Sequence, residues 1–274
     1  MPSIIEKLLR FKNMQLSRMQ DIGGLRAVVS TLKKVHELEN NYRNSRFNHE
    51  LVTSYDYINF PKASGYRSIH LVYRYKNPRS PEYKGLLLEL QIRTRLQHAW
   101  ATAVETMGTF LNHALKSSEG PEDWLKFFAL TGSAFAHLEE TPPVPGYEGL
   151  SKEETFVATV DTALLLGIKD RLLAFSVAAQ HVHSDRKPGS YHLIILDPDE
   201  KKVSIFTYSK YNLNVASRDY RKVERRIADG EPIQAVLVSA GPIENLRRAY
   251  PNFFLDTREF IRILDRIEQQ TLAR

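Results

Sequence analysis

The stretch Tyr57-Ile58-Asn59-Phe60-Pro61-Lys62-Ala63-Ser64-Gly65-Tyr66-Arg67-Ser68-Ile69-His70 gathers residue types that hold a phosphorylated ligand. Gly65 lets the backbone approach a ligand, Lys62 and Arg67 offer cationic donors to phosphate, and Tyr66 offers a flat face for a base. The same residues also fit the start of a hairpin with a surface tyrosine and two solvated cations, so in isolation the stretch leaves both readings open. Two carboxylates add to the first. Asp21 precedes an apolar run, and Glu89 lies within Leu86-Leu87-Leu88-Glu89-Leu90-Gln91-Ile92, where an acid is costly unless paired or bound to a cation. Strand alternation would put Leu86, Leu88, Leu90 and Ile92 on one side and Leu87, Glu89, Gln91 and Arg93 on the other. The second side then carries a metal ligand, a hydrogen-bonding amide and a phosphate clamp two residues apart, or simply a polar face.

Elements that would position these residues follow from periodicity. Ile4, Ile5, Leu8, Leu9 and Phe11 predict a helix over Ser3 to Met14, with Ser3 as its cap. Leu25 to Val29 reads as a buried strand, Leu32 to Asn44 as a polar helix, and Ser54 to Ser64 as mixed and turn-rich. Ser68 to Tyr75 and Gly85 to Ile92 form a hairpin across the turn Asn77 to Lys84. Helices are expected over Thr94 to Ala114 and Glu122 to Glu139. Pro142, Pro143, Pro145, Gly146 and Gly149 mark a linker, giving domains at 1–139 and 151–274 joined by 140–150. The second part predicts a helix over Glu154 to Ala179, strands over Tyr191 to Leu196, Val203 to Tyr208 and Ala235 to Val238, and helices over Leu213 to Ala228, Ile243 to Tyr250 and Thr257 to Gln270. The fold class is α+β, a mixed sheet flanked by helices with a second small α+β domain.

Charge is unevenly spread. The net charge is +6, yet residues 1–100 hold 17 Lys and Arg against 8 Asp and Glu, so the basic character belongs to the first part. Such a cluster attracts phosphate-bearing partners, nucleotide or nucleic acid alike. There is no cysteine, which excludes disulfides, thiolate nucleophiles and Cys-based zinc sites and leaves oxygen or imidazole as metal ligands. No apolar run is long enough for a membrane span, and the expected location is the cytoplasm.

Three ordered motifs, Asp21-Ile22-Gly23-Gly24-Leu25-Arg26, Tyr57 to Lys62 with Gly65 to His70, and Glu89-Leu90-Gln91-Ile92-Arg93-Thr94 followed by His98, resemble the RelA/SpoT synthetase domain over about residues 3 to 115. The resemblance implies a nucleotidyltransferase-like fold and an ATP- and Mg²⁺-dependent transfer of pyrophosphate to a ribose 3′-hydroxyl. On it, Asp21 and Glu89 are the Mg²⁺-holding catalytic carboxylates, and Glu89 takes the proton of the attacking hydroxyl. Lys7 contacts the ATP phosphates, Arg26 flanks the adenine, and Tyr66 stacks on the acceptor base. Lys62, Ser64, Arg67, His70, Gln91 and Arg93 surround the acceptor nucleotide.

The family's Arg-x-Lys pair ahead of the Ser-Ile helix has no counterpart before Ser3, so either the expected natural start lies further upstream, the preferred expectation, or ATP is bound with half of that clamp. The hydrolase half of longer members is also missing. His181 and His183 are read as surface residues, and Arg247 to Asp256 as an aromatic helix end or an RNA contact. GDP or GTP is the first expected acceptor, with a tRNA 3′ end or an adenosine nucleotide as the alternative. A catalytically inactive nucleotide-sensing module is a further alternative. Homo-oligomers are an expectation of the resemblance, and the second domain carries no identifiable chemistry, its role left open with a regulatory or self-neutralising one as the hypothesis.

Overall fold

The computed structural model describes residues 23–111, 115, 120–173, 191–197, 202–231, 233–239 and 253–272. The helices expected at Ser3 to Met14 and Ile243 to Tyr250, and residues Lys7, Asp21, His181 and His183, lie outside them.

A four-stranded sheet runs in the order β1-β4-β3-β2, from β1 (Gly23–Val29), β2 (Glu50–Asp56), β3 (Ile69–Arg74) and β4 (Leu87–Thr94). β1 pairs parallel to β4, and the other pairings are antiparallel, so the sheet is mixed. Between β1 and β2 lies α1 (Leu32–Arg43), whose Thr31 cap accepts a hydrogen bond from the Lys34 amide. Val35 of α1 packs on Ile69, Leu71, Leu90 and Ile92, closing one face of the sheet as an apolar core. The opposite face is therefore the side to which Glu89 and Gln91 point.

Two expectations change here. Among the described residues β1 is an edge strand, paired on its β4 side alone, with Leu25 70 % and Val28 39 % exposed. β2 forms where the sequence reading assigned no element and runs into the start of the segment read as turn-rich, at Ser54 to Asp56; its Leu51/Thr53 bulge breaks the alternation that would have announced it.

β4 passes directly into α2 (Arg95–Leu111). Thr94 and Gln97 cap this junction reciprocally, the Thr94 hydroxyl accepting from the Gln97 amide and the Gln97 side chain from the Thr94 amide. α3 (Glu122–Leu138) follows, and α4 (Lys152–Leu165) starts at a capping box of Ser151 and Glu154. The helix expected through Ala179 breaks at Gly167, where φ is +57°. α2, α3 and α4 share one core with α6 (Phe253–Leu272), through Trp100, Phe128, Phe135, Phe156, Phe260 and Leu264 among others. Segment 140–150 thus does not divide two cores: helices from both sides of it bury apolar faces on each other. The separate unit in the second part is smaller. β5 (Tyr191–Asp197), β6 (Lys202–Tyr208) and β7 (Gln234–Ser239) form an antiparallel sheet in the order β6-β5-β7, with α5 (Leu213–Ala228) packed on it through Val223.

Candidate active site

Strand register assembles the polar face. Cross-strand partners project to the same side, and the register aligns Arg26 of β1 with Gln91 of β4, His70 of β3 and Tyr55 of β2 in one row. The adjacent row holds Gly24, Glu89, Val72 and Thr53. Gly24 leaves open the position beside Glu89 where any other residue would add a side chain. Glu89, Gln91, His70 and Arg26 are thereby brought together across three strands.

Glu89 is held on both oxygens. Nδ1 of His70 is 2.6 Å from Oε1, and Nε2 of Gln91 donates to Oε2 at 2.7 Å. The His70 and Glu89 side chains are 10 % and 12 % exposed, so the carboxylate is largely dry but still open at one side. His70 in turn meets the Tyr66 hydroxyl through Nε2 at 2.8 Å. Tyr55 and Tyr57 stack in parallel with centroids 5.6 Å apart, and the Tyr57 ring meets the His70 ring edge-on at 5.1 Å. Burial, with Tyr55 and Glu89 adding negative charge nearby, pushes the Tyr57 phenol above its ordinary value. Lys62 places Nζ 4.4 Å from the Tyr57 ring centre, and is itself exposed, as Arg26 is. Tyr57 is the site residue that sequence reading left without a role; its signal was the Tyr55/Tyr57 alternation, which puts two aromatic rings on one side.

Other expected contacts move away from the ligand side. The Tyr66 ring is only 4 % exposed and packs edge-on against Tyr57, His70 and Trp100, so it presents no open face for a base. Arg67 is 3 % exposed and spends its guanidinium on Glu139, at 2.5 Å, and Thr141, which removes it from the phosphate donors. Arg93 is fully buried and cannot clamp a phosphate at the surface. Gly65 serves the fold instead of a ligand. Its φ of +94° turns the chain into Tyr66, and a β-carbon there would meet the Phe128 carbonyl at 2.7 Å and Trp100 at 2.8 Å. Ser64 is half-buried at that turn.

Comparison with known proteins gives matches to this part of the chain. Residues 1–109 match the family described as "Region found in RelA / SpoT proteins". The GTP pyrophosphokinase YjbM of Bacillus subtilis (strain 168) is 37 % identical over 103 residues, covering 36 % of this chain and 48 % of the relative. The GTP pyrophosphokinase YwaC of the same organism is 30 % identical over 109 residues, covering 36 % of this chain and 50 % of the relative. The chain thus spans about half the length of the curated relatives it matches. Among solved structures, the small alarmone synthetase 1 from Bacillus subtilis bound to its product pppGpp has 29 % identity and a TM-score of 0.43 over 51 % of this chain and 70 % of that one. Residues 1–109 of this chain are thus similar to the RelA/SpoT region, and all four strands that build the polar face lie within the matched residues.

Proposed function

We propose that the chain is an ATP-dependent pyrophosphokinase that transfers the β,γ-pyrophosphate of ATP to the 3′-hydroxyl of GDP or GTP. The observation that carries this reading is Glu89: a largely dry carboxylate on the polar face, fixed on both oxygens and beside a glycine, within the residues that match the RelA/SpoT region. In the reaction the acceptor 3′-oxygen bonds to the β-phosphorus while the bond from that phosphorus to the α-phosphate bridge breaks. AMP leaves, and the hydroxyl proton passes to the Glu89 carboxylate. The protein's share is mostly alignment and charge.

The donor set suits Mg²⁺, a hard cation that takes one or two carboxylates and completes its shell with phosphate and water. Among the described residues no group of three or more His, Asp or Glu stands together as a self-sufficient cage. Glu89, with Asp21, would hold the ion, which when bound would neutralise charge on the ATP phosphates. Arg26 is the proposed adenine contact, Lys7 the phosphate contact, and Lys62, Ser64, His70 and Gln91 line the acceptor side. The cysteine-free composition suits a reducing compartment such as the cytoplasm. Among the described residues no helix is long and apolar enough to cross a membrane.

The test is incubation of the full chain with γ-labelled ATP and Mg²⁺ plus GDP, GTP, AMP or bulk tRNA, with Glu89→Gln as the control. Label on a guanine nucleotide, lost in the control, supports the reading. Label on tRNA or AMP moves the acceptor, and no transfer to any of them removes the enzyme in favour of a nucleotide-sensing module.

A further inference from the structure

Tyr66 and His70 on one side and Gln91 on the other form two hydrogen-bonded arms that meet on the two oxygens of Glu89. We propose that Tyr66 and His70 are positioning residues for Glu89, acting through the Tyr66 hydroxyl and both ring nitrogens of His70. The inference rests on the pyrophosphokinase reading for its kinetic consequence, but its structural half stands apart from it.

The strand partner opposite Glu89 is Val72, which has no polar atom to orient a carboxylate. His70 is its diagonal neighbour on β3, within side-chain reach, and supplies what Val72 lacks. An ionised carboxylate only accepts, so Nδ1 of His70 carries the proton donated to Oε1, and Nε2 is left to accept from the Tyr66 hydroxyl. Tyr66 reaches Nε2 because the turn Lys62 to Tyr66, closed by the Gly65 amide on the Lys62 carbonyl at 2.8 Å, tucks its ring beneath the sheet end against Trp100. Buried phenols of this kind are kept for their hydroxyl partner. Ring orientation, tautomer and carboxylate plane are then fixed together before any ligand arrives, as happens for histidines that support a reacting group from behind.

Tyr66→Phe separates this role from base stacking, since phenylalanine keeps the ring and loses only the hydroxyl. Expected for Tyr66→Phe is a fall in kcat of about 10- to 100-fold, with KM for ATP and GDP within about twofold of the parent. His70→Asn, which keeps a donor near the Nδ1 position, should retain more activity than His70→Leu. Nitrogen-15 NMR of histidine-labelled full chain should show His70 protonated at Nδ1, with the Nε2 resonance shifted in Tyr66→Phe and the Nδ1 resonance shifted in Glu89→Gln. A Tyr66→Phe protein with parental kcat, or with an unmoved Nε2 resonance, overturns the proposal. If the parent transfers no pyrophosphate, the pyrophosphokinase reading falls, and the NMR spectra still decide whether the chain of hydrogen bonds holds Glu89.

Discussion

Gly65 and Gly132 pack backbone to backbone: a β-carbon on Gly132 would stand 2.7 Å from the Gly65 α-carbon and 2.8 Å from its carbonyl oxygen. The turn that delivers Tyr66 is thereby pressed onto the middle of α3. Gly132→Ala should gain about 1 kcal/mol of helix preference and lose more to overpacking, a net destabilisation of roughly 1–3 kcal/mol in chemical denaturation. Stability equal to or above the parent's would show that α3 can yield at this contact.

Arg67 and Glu139 tie the segment leading into β3 to the end of α3. Burial lowers the Arg67 pKa and the Glu139 carboxylate beside it counteracts the shift, so the partner offsets the desolvation of a guanidinium that stays charged. Glu139 also accepts from Thr94 and Gln97, at the start of α2. Glu139→Ala should cost about 3–5 kcal/mol, whereas the paired replacement Arg67→Met with Glu139→Leu should cost less. Urea unfolding of the two variants checks this, and equal losses would contradict it.

Arg26 is exposed on an edge strand, so its removal should leave the fold intact. If it flanks the adenine, Arg26→Ala should weaken ATP binding by about 1–2 kcal/mol, a rise in KM for ATP of roughly 5- to 30-fold, with KM for the acceptor unchanged. A larger effect on the acceptor would place Arg26 on the other substrate.

His137, in the last turn of α3, is held below its ordinary pKa, chiefly by burial and secondarily by Lys152. Its folded pKa lies under the unfolded value of 6.5, so the unfolded chain binds the proton more readily, and the stability contributed above that value is lost as the pH falls below it. Melting temperature should therefore drop more steeply between about pH 7 and pH 5 in the parent than in His137→Gln. Parallel profiles would mean that His137 protonates without cost.

Local chemistry in the sequence reached as far as local causes extend. The Pro-bearing turn between β3 and β4, the alternation that sets Glu89 and Gln91 apart from Leu88 and Leu90, and the helical period of α1 and α3 all appear where periodicity put them. The sequence could not show which cations are drawn into the interior of the fold. Arg67 looked like a phosphate donor because its partner Glu139 lies far along the chain, and Tyr66 looked like a stacking face because Trp100 and His70 close over it only in three dimensions. The proline- and glycine-rich segment after α3 reads as a boundary, but composition marks only where the backbone bends. Whether apolar helices meet again beyond it depends on faces such as that of Phe260 finding Phe128 and Phe135.

That meeting sets a clock. α6 lies against α2, the helix that continues directly from the strand bearing Glu89, yet about 160 residues of translation separate their ends. At roughly 5–20 residues per second a nascent chain would carry its polar face for about ten to thirty seconds before the helix that seals the core behind it emerges. Each newly made molecule would thus remain immature through the second part of its own synthesis, and a transcript broken before the codons for α6 would yield a product with Phe128 and Phe135 stripped of their Phe260 partner and open to the cell's proteases.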